Sequence, residues 1–101
     1  MKINVNQQND QTVIALDGML DSTSVPQVQE AINQVINTPT TPNVVLDLSH
    51  LAYISSQGVR VILTLIRAIR ATQGRLIFRN IQPPVREIFD LSGLSQAMVI
   101  E

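Results

Sequence analysis

The sequence predicts an α/β fold built on a mainly parallel or mixed sheet. Short apolar runs of strand type alternate with longer stretches of helical period along the 101 residues. The run NVVLDL, residues 43–48, is nearly continuous in valine and leucine, as in a central strand covered on both faces. Pro26 and Pro84 fall in the first turns of predicted helices rather than in their interiors.

Residues 2–6 and 11–17 read as two short strands around the turn Gln8-Asn9-Asp10. Ser24 and Gln27 have capping-box spacing, and Pro26 sits in a permitted first-turn position. Val25, Val28, Ala31, Ile32 and Val35 follow helical spacing, which predicts a helix over 25–37. Thr38-Pro39-Thr40-Thr41-Pro42 reads as a loop before the strand at 43–48. A second helix is predicted over 56–73 and a strand over 75–79. A third helix follows over 83–91, with Pro84 in its first turn and Gly93 near its end. Residues 97–100 read as a last short strand. With no repeat, no low-complexity segment and no linker, residues 1–101 are read as one domain.

Composition narrows the function. Apolar content of 45% fits a globular chain rather than a disordered one. The net charge of −1 and the absence of a basic run argue against nucleic acid. Tyr53, Phe78 and Phe89 are too few to form a base-stacking surface. Cysteine is absent, which excludes disulfides and thiolate metal sites and fits a reducing compartment. The first ten residues alternate in polarity and lack a signal-peptide core, and the apolar stretch 59–69 carries Arg60 and Arg67, too charged to span a bilayer. A soluble cytoplasmic domain is expected, with no membrane insertion.

Enzyme chemistry finds no support in the residues. His50 is the single histidine, read as a loop residue about six positions before Ser56, and no G-x-S-x-G elbow surrounds either serine. One histidine and scattered carboxylates give no metal-ligand spacing. Gly18, Gly58, Gly74 and Gly93 are isolated, so no phosphate-binding loop exists and no cofactor is expected. Asp47, at the predicted end of the central strand, and Asp21, in the loop before the first helix, read first as turn formers. Asp21 also lies near the carboxyl end of a strand, where α/β folds place their sites.

The informative stretch is LDLSHLAYISSQGVRVILTLI, residues 46–66. It puts Ser55 and Ser56 at the start of the long second helix, where unpaired backbone N–H groups and the helix dipole favour negative charge. Stepping about 100° per residue, Ser56, Arg60, Leu63 and Arg67 fall on one face, with Arg70 beside them. Val59, Val61, Ile62, Leu65, Ile66, Ala68 and Ile69 fall on the other, which must pack on the sheet. Ser56 is expected to head a solvent-facing stripe of arginines with Leu63 as an apolar anchor, a pattern suited to a docking surface. The competing account is plain: a capping serine and a solvated helix face.

Three stretches together carry a resemblance. VIALDGMLDSTSVPQVQEAI, VVLDLSHLAYISSQGVRVIL and NIQPPVREIFDLSGL are similar, in this order, to segments of the STAS domain, in particular of the small bacterial anti-sigma factor antagonists. The resemblance implies the STAS fold, a mixed sheet of about four to five strands packed with about three to four α-helices. It implies partner switching. The unphosphorylated protein would bind an anti-sigma factor that is also a serine kinase and so release a sigma factor. Phosphorylation would separate the pair, and a serine phosphatase would reset it. Aligned through Gly58, Ser56 takes the family's phosphorylated position, and Ser55, the second choice for modification, takes the position of the family's aspartate. Asp21 matches a loop aspartate near the partner surface. Asp21, Ser55, Gln57, Arg60, Leu63 and Arg67 are the expected partner-binding residues of a protein expected to be monomeric. The alternative is a STAS accessory or scaffold subunit, of a lipid-transport complex or a stress-sensing assembly, in which Ser56 only caps.

Overall fold

Strands β1, Lys2–Gln8, and β2, Gln11–Leu20, form an antiparallel hairpin whose turn contains Asn9 at φ 58°, a left-handed conformation that asparagine tolerates. The chain continues through helix α1, Val25–Ile36, strand β3, Asn43–Ile54, and helix α2, Ser56–Ala71. Strand β4, Arg75–Arg79, helix α3, Pro83–Leu91, a 3₁₀ turn, Leu94–Ala97, and strand β5, Val99–Ile100, complete it. The computed structural model describes residues 1–37, 43–97 and 99–100. The predicted loop 38–42 therefore lies outside the described residues.

The five strands stand in chain order, β1-β2-β3-β4-β5. The β1–β2 pair is antiparallel and every later pair is parallel, so the sheet is mixed, as the alternating pattern predicts. Because each parallel crossover advances the same way across the sheet, a constant right hand puts all the helices on one face. The core reflects this. Ile14, Leu16, Val44, Leu46, Leu48 and Phe78 from one sheet face join Val28 and Ile32 of α1, Ile62 and Leu65 of α2, and Val85 and Phe89 of α3 in one buried cluster. Among the described residues the other face carries Val13, Val45 and Ile77 as a separate small buried cluster. The expectation that β3 is covered on both faces holds only in part: helices cover one face, and on the other Val45 is buried among the side chains of neighbouring strands.

Two further differences matter for the site. Strand β3 does not end at Leu48 but runs to Ile54, in parallel register with β2 as far as Leu20↔Ile54. Register irregularities around Ala15–Asp17 and Gly18–Met19, with Gly18 at φ 120°, let β2 follow it despite the turn-like sequence Asp17-Gly18. His50 accordingly lies on β3, paired with Asp17, rather than in a loop. The capping box before α1 is not formed either. The Ser24 hydroxyl donates to the Met19 carbonyl at 2.8 Å and accepts from the Asp21 N–H at 3.0 Å, while Gln27 donates to the Met1 carbonyl. Ser24 has helical backbone angles, so its hydroxyl ties the loop to β2 instead of capping α1.

Candidate functional site

The site is assembled at the carboxyl ends of β2 and β3. Ser55 leaves β3 in extended conformation, and its N–H donates to the Leu20 carbonyl at 2.8 Å. Its hydroxyl accepts from the Gly58 N–H at 3.3 Å, so Ser55, not Ser56, is the N-cap of α2. This accounts for serine where the resemblance implies aspartate, since both rank among the best caps. Ser56 is the first residue of the helix and is exposed. Its hydroxyl makes only a 3.4 Å contact, donating to the neighbouring Gln57 amide oxygen. Around it lie the first N–H groups of a 16-residue helix, the positive end of its dipole.

Gly58 holds this turn against the sheet. A Cβ there would come within 2.7 Å of Ile54 Cγ1 and 2.8 Å of the Leu20 carbonyl oxygen. Glycine is required for close approach, not for an unusual backbone angle.

The other predicted residues divide. Gln57 and Arg60 are exposed beside Ser56, with Arg60 one turn along the helix. Arg60 makes no ion pair and no side-chain hydrogen bond among the described residues. Arg67 is exposed two turns farther on. Leu63 differs from expectation: it is half-buried and packs against the core, because the core-facing arc of α2 is broader than a half-cylinder drawn from the sequence. It is not the exposed anchor of the stripe. Asp21 is brought next to the turn through Leu20, but its carboxylate is already engaged, accepting from the N–H groups of Thr23 and Ser24 at 3.0 and 3.3 Å.

The apolar part of the site comes instead from residues that sequence reasoning passed over. A cleft of ≈ 530 Å³ opens beside Ser56, walled by Tyr53, Val59, Ile88 and Leu91, with Arg60 at its rim. Leu91 is 80% exposed and Tyr53 47%. Met19, 56% exposed, is the register partner of Tyr53 and extends the patch. Tyr53 was legible only if β3 continued past Leu48. Met19 and Leu91 reach it through sheet register and helix packing, which leave no local signal.

Asp47 lies away from this cleft, mid-strand on β3. Partial burial pushes its carboxyl up, but the N–H and hydroxyl of Ser49, the Asn80 amide and nearby Arg79 outweigh it and hold the group below its ordinary range. It ties β3 to the chain leaving β4 and is structural. Among the described residues no group of three or more His, Asp or Glu side chains could hold a metal ion. No helix among them is long and apolar enough to cross a membrane.

Comparison with known proteins settles the family. The STAS domain family model matches residues 2–101. The chain belongs to the STAS domain family. It is 34% identical to the anti-sigma F factor antagonist of Lysinibacillus sphaericus over 87 residues, 86% of this chain and 74% of that one. The structure of the anti-sigma factor antagonist SpoIIAA in its unphosphorylated form is similar, at 27% identity and a TM-score of 0.81, covering 99% of this chain and 88% of that one. The Bacillus cell fate determinant SpoIIAA in its phosphorylated form is also similar, at 28% identity and a TM-score of 0.77, covering 99% and 91%. The STAS fold expected from the three sequence stretches is the fold observed.

Proposed function

We propose that this STAS domain is an anti-sigma factor antagonist whose binding is switched by phosphorylation of Ser56. The observation that carries the reading is the division of labour between two adjacent hydroxyls. Ser55 is committed to capping α2, while Ser56 stands exposed on the first helical residue with no structural duty. Relatives named as anti-sigma factor antagonists, one with a structure in a phosphorylated form, support the same role.

In this reading the unphosphorylated domain docks on an anti-sigma factor that is also a serine kinase, and a sigma factor is released. The kinase then esterifies Ser56, adding a charge of about −1.5 to −2. The helix N-terminus accommodates that charge without refolding. The docked partner does not, because the phosphate must be desolvated against its surface. Driving a complex from 99:1 to 1:99 requires about 5.5 kcal/mol of differential binding. A serine phosphatase restores the binding form.

The test is to incubate the protein with a candidate anti-sigma kinase and ATP and to map phosphate by mass spectrometry. A single phosphate on Ser56 is expected. Phosphate found only at other residues would refute the assignment.

A further inference from the structure

We infer that the cleft beside Ser56 is an anchor socket for an apolar side chain of a protein partner, with Arg60 pairing a carboxylate that flanks that side chain. The inference deepens the reading above by giving the partner's contact chemistry, and it rests on that reading only for who the partner is.

Large apolar side chains left in water as one patch mark an interaction surface. Tyr53 and Leu91 wall the same cleft, Met19 is in register with Tyr53, and all three are exposed although the core is closed without them. Ile88 and Val59, both half-buried, complete its apolar lining. Asp90 and Glu87 flank the cleft on α3 but are absent from its lining. Among the described residues Arg60 is the one charged residue lining the cleft and no carboxylate lines it, and the N-terminus of α2 adds the positive end of a dipole. The complementary occupant is apolar and carries a negative charge at its edge. A cleft of ≈ 530 Å³ holds one or two large side chains. Ser56 also lines it, so a phosphate there would meet the partner's carboxylate and draw Arg60 away from it.

The socket can be tested without the partner. The probes are 2-naphthoate, an apolar ring with a carboxylate, and its neutral analogue 2-naphthamide. Each is titrated into the ¹⁵N-labelled full chain. Both should shift the amides of residues 53–60 and 88–92, with naphthoate about two- to five-fold tighter, the range of an exposed ion pair. Arg60→Gln should erase that difference. Leu91→Asp, at an exposed position that the fold does not need, should weaken naphthoate about ten-fold through lost apolar contact and added like charge. Genetically encoded phosphoserine at position 56 should weaken naphthoate and leave naphthamide nearly unchanged.

Silent cleft amides, equal affinity of the two probes in the unmodified chain, or indifference to Leu91→Asp would each overturn the inference. So would naphthoate binding that phosphoserine leaves untouched. The same amides shifting with protein concentration alone would assign the cleft to a second copy of this chain, and would also overturn it. No kinase enters these titrations. A kinase assay that leaves Ser56 unmodified therefore sinks the switch but not the socket, and failure of the unmodified chain to bind either probe, in a protein that the kinase does phosphorylate on Ser56, sinks the socket but not the switch.

Discussion

Two hydroxyls one residue apart have different fates because only one of them faces the backbone. The Ser55 hydroxyl accepts from Gly58 and closes the first turn of α2, while that of Ser56 points to no acceptor beyond its neighbour's side chain. Replacing Ser56 by alanine should leave stability within about 0.5 kcal/mol, as at other unconstrained surface positions. That variant should bind the anti-sigma kinase constitutively, whereas Ser56→Asp should bind poorly; pull-down or calorimetry with ATP present and absent checks both. Gly58 is the opposite kind of residue. Alanine is intrinsically the better helix former by about 1 kcal/mol. Here its methyl would press on buried Ile54 and on a Leu20 carbonyl already fixed by the Ser55 N–H. Gly58→Ala should therefore cost about 1–3 kcal/mol by overpacking, read as a lower urea midpoint. A neutral or stabilising effect would show that the turn has room to move.

Helices α2 and α3 frame the cleft, and each is held by a different contact set. Helix α2 buries Val61, Ile62, Leu65, Ile66 and Ile69 and keeps Arg60 and Arg67 in water. Arg67→Glu should weaken partner binding with no loss of fold, because the side chain contributes no buried contact. Unchanged affinity would remove the far end of α2 from the interface and leave Arg60 as its charged element. Helix α3 is pinned by Phe89, whose ring meets Phe78 of β4 edge to face at 6.1 Å and 81°. Both rings are fully buried. Phe89→Ala should cost about 3–5 kcal/mol in thermal or chemical unfolding. Leu91, two residues on, would lose its placement at the cleft, so partner binding should fall along with stability.

Across the whole molecule, pH acts mainly through carboxylates held in their charged form. Asp47 has its carboxyl lowered in the folded chain by hydrogen bonds from Ser49 and Asn80 and by Arg79, despite opposing burial. A lowered folded value means that the stabilisation is complete above the unfolded value and is lost as pH falls through the folded one. Asp90, lowered by the Ser95 hydroxyl and by Arg86, titrates in the same sense but is exposed to solvent screening. The melting temperature should therefore hold through neutral and mildly acid pH and fall below the ordinary carboxylate range. Asp47→Asn should flatten that acid limb, measured by circular dichroism melts across pH. An acid limb equally steep in the variant would remove Asp47 as a source of the dependence.

Much of this architecture is local and therefore readable in the chain. The period-3.6 stripe of α2, the prolines opening α1 and α3, and the valine-leucine run of β3 are each patterns within one short stretch of chain, so they set the type and order of these elements. The place of Ser56 at the start of α2 was legible for the same reason, since a helix start is a local event. Assembly decided the rest. The length of β3 depends on β2 following it through a register irregularity, and the one-sided layering depends on the common direction of the crossovers. The half-burial of Leu63 depends on how α2 settles onto its neighbours. Tyr53 and Leu91 come from separate elements that packing brings around the cleft at Ser56, and only sheet register sets Met19 beside Tyr53. Hydrophobic period shows which face of an element is buried; it carries no information about which exposed residues of different elements end up side by side.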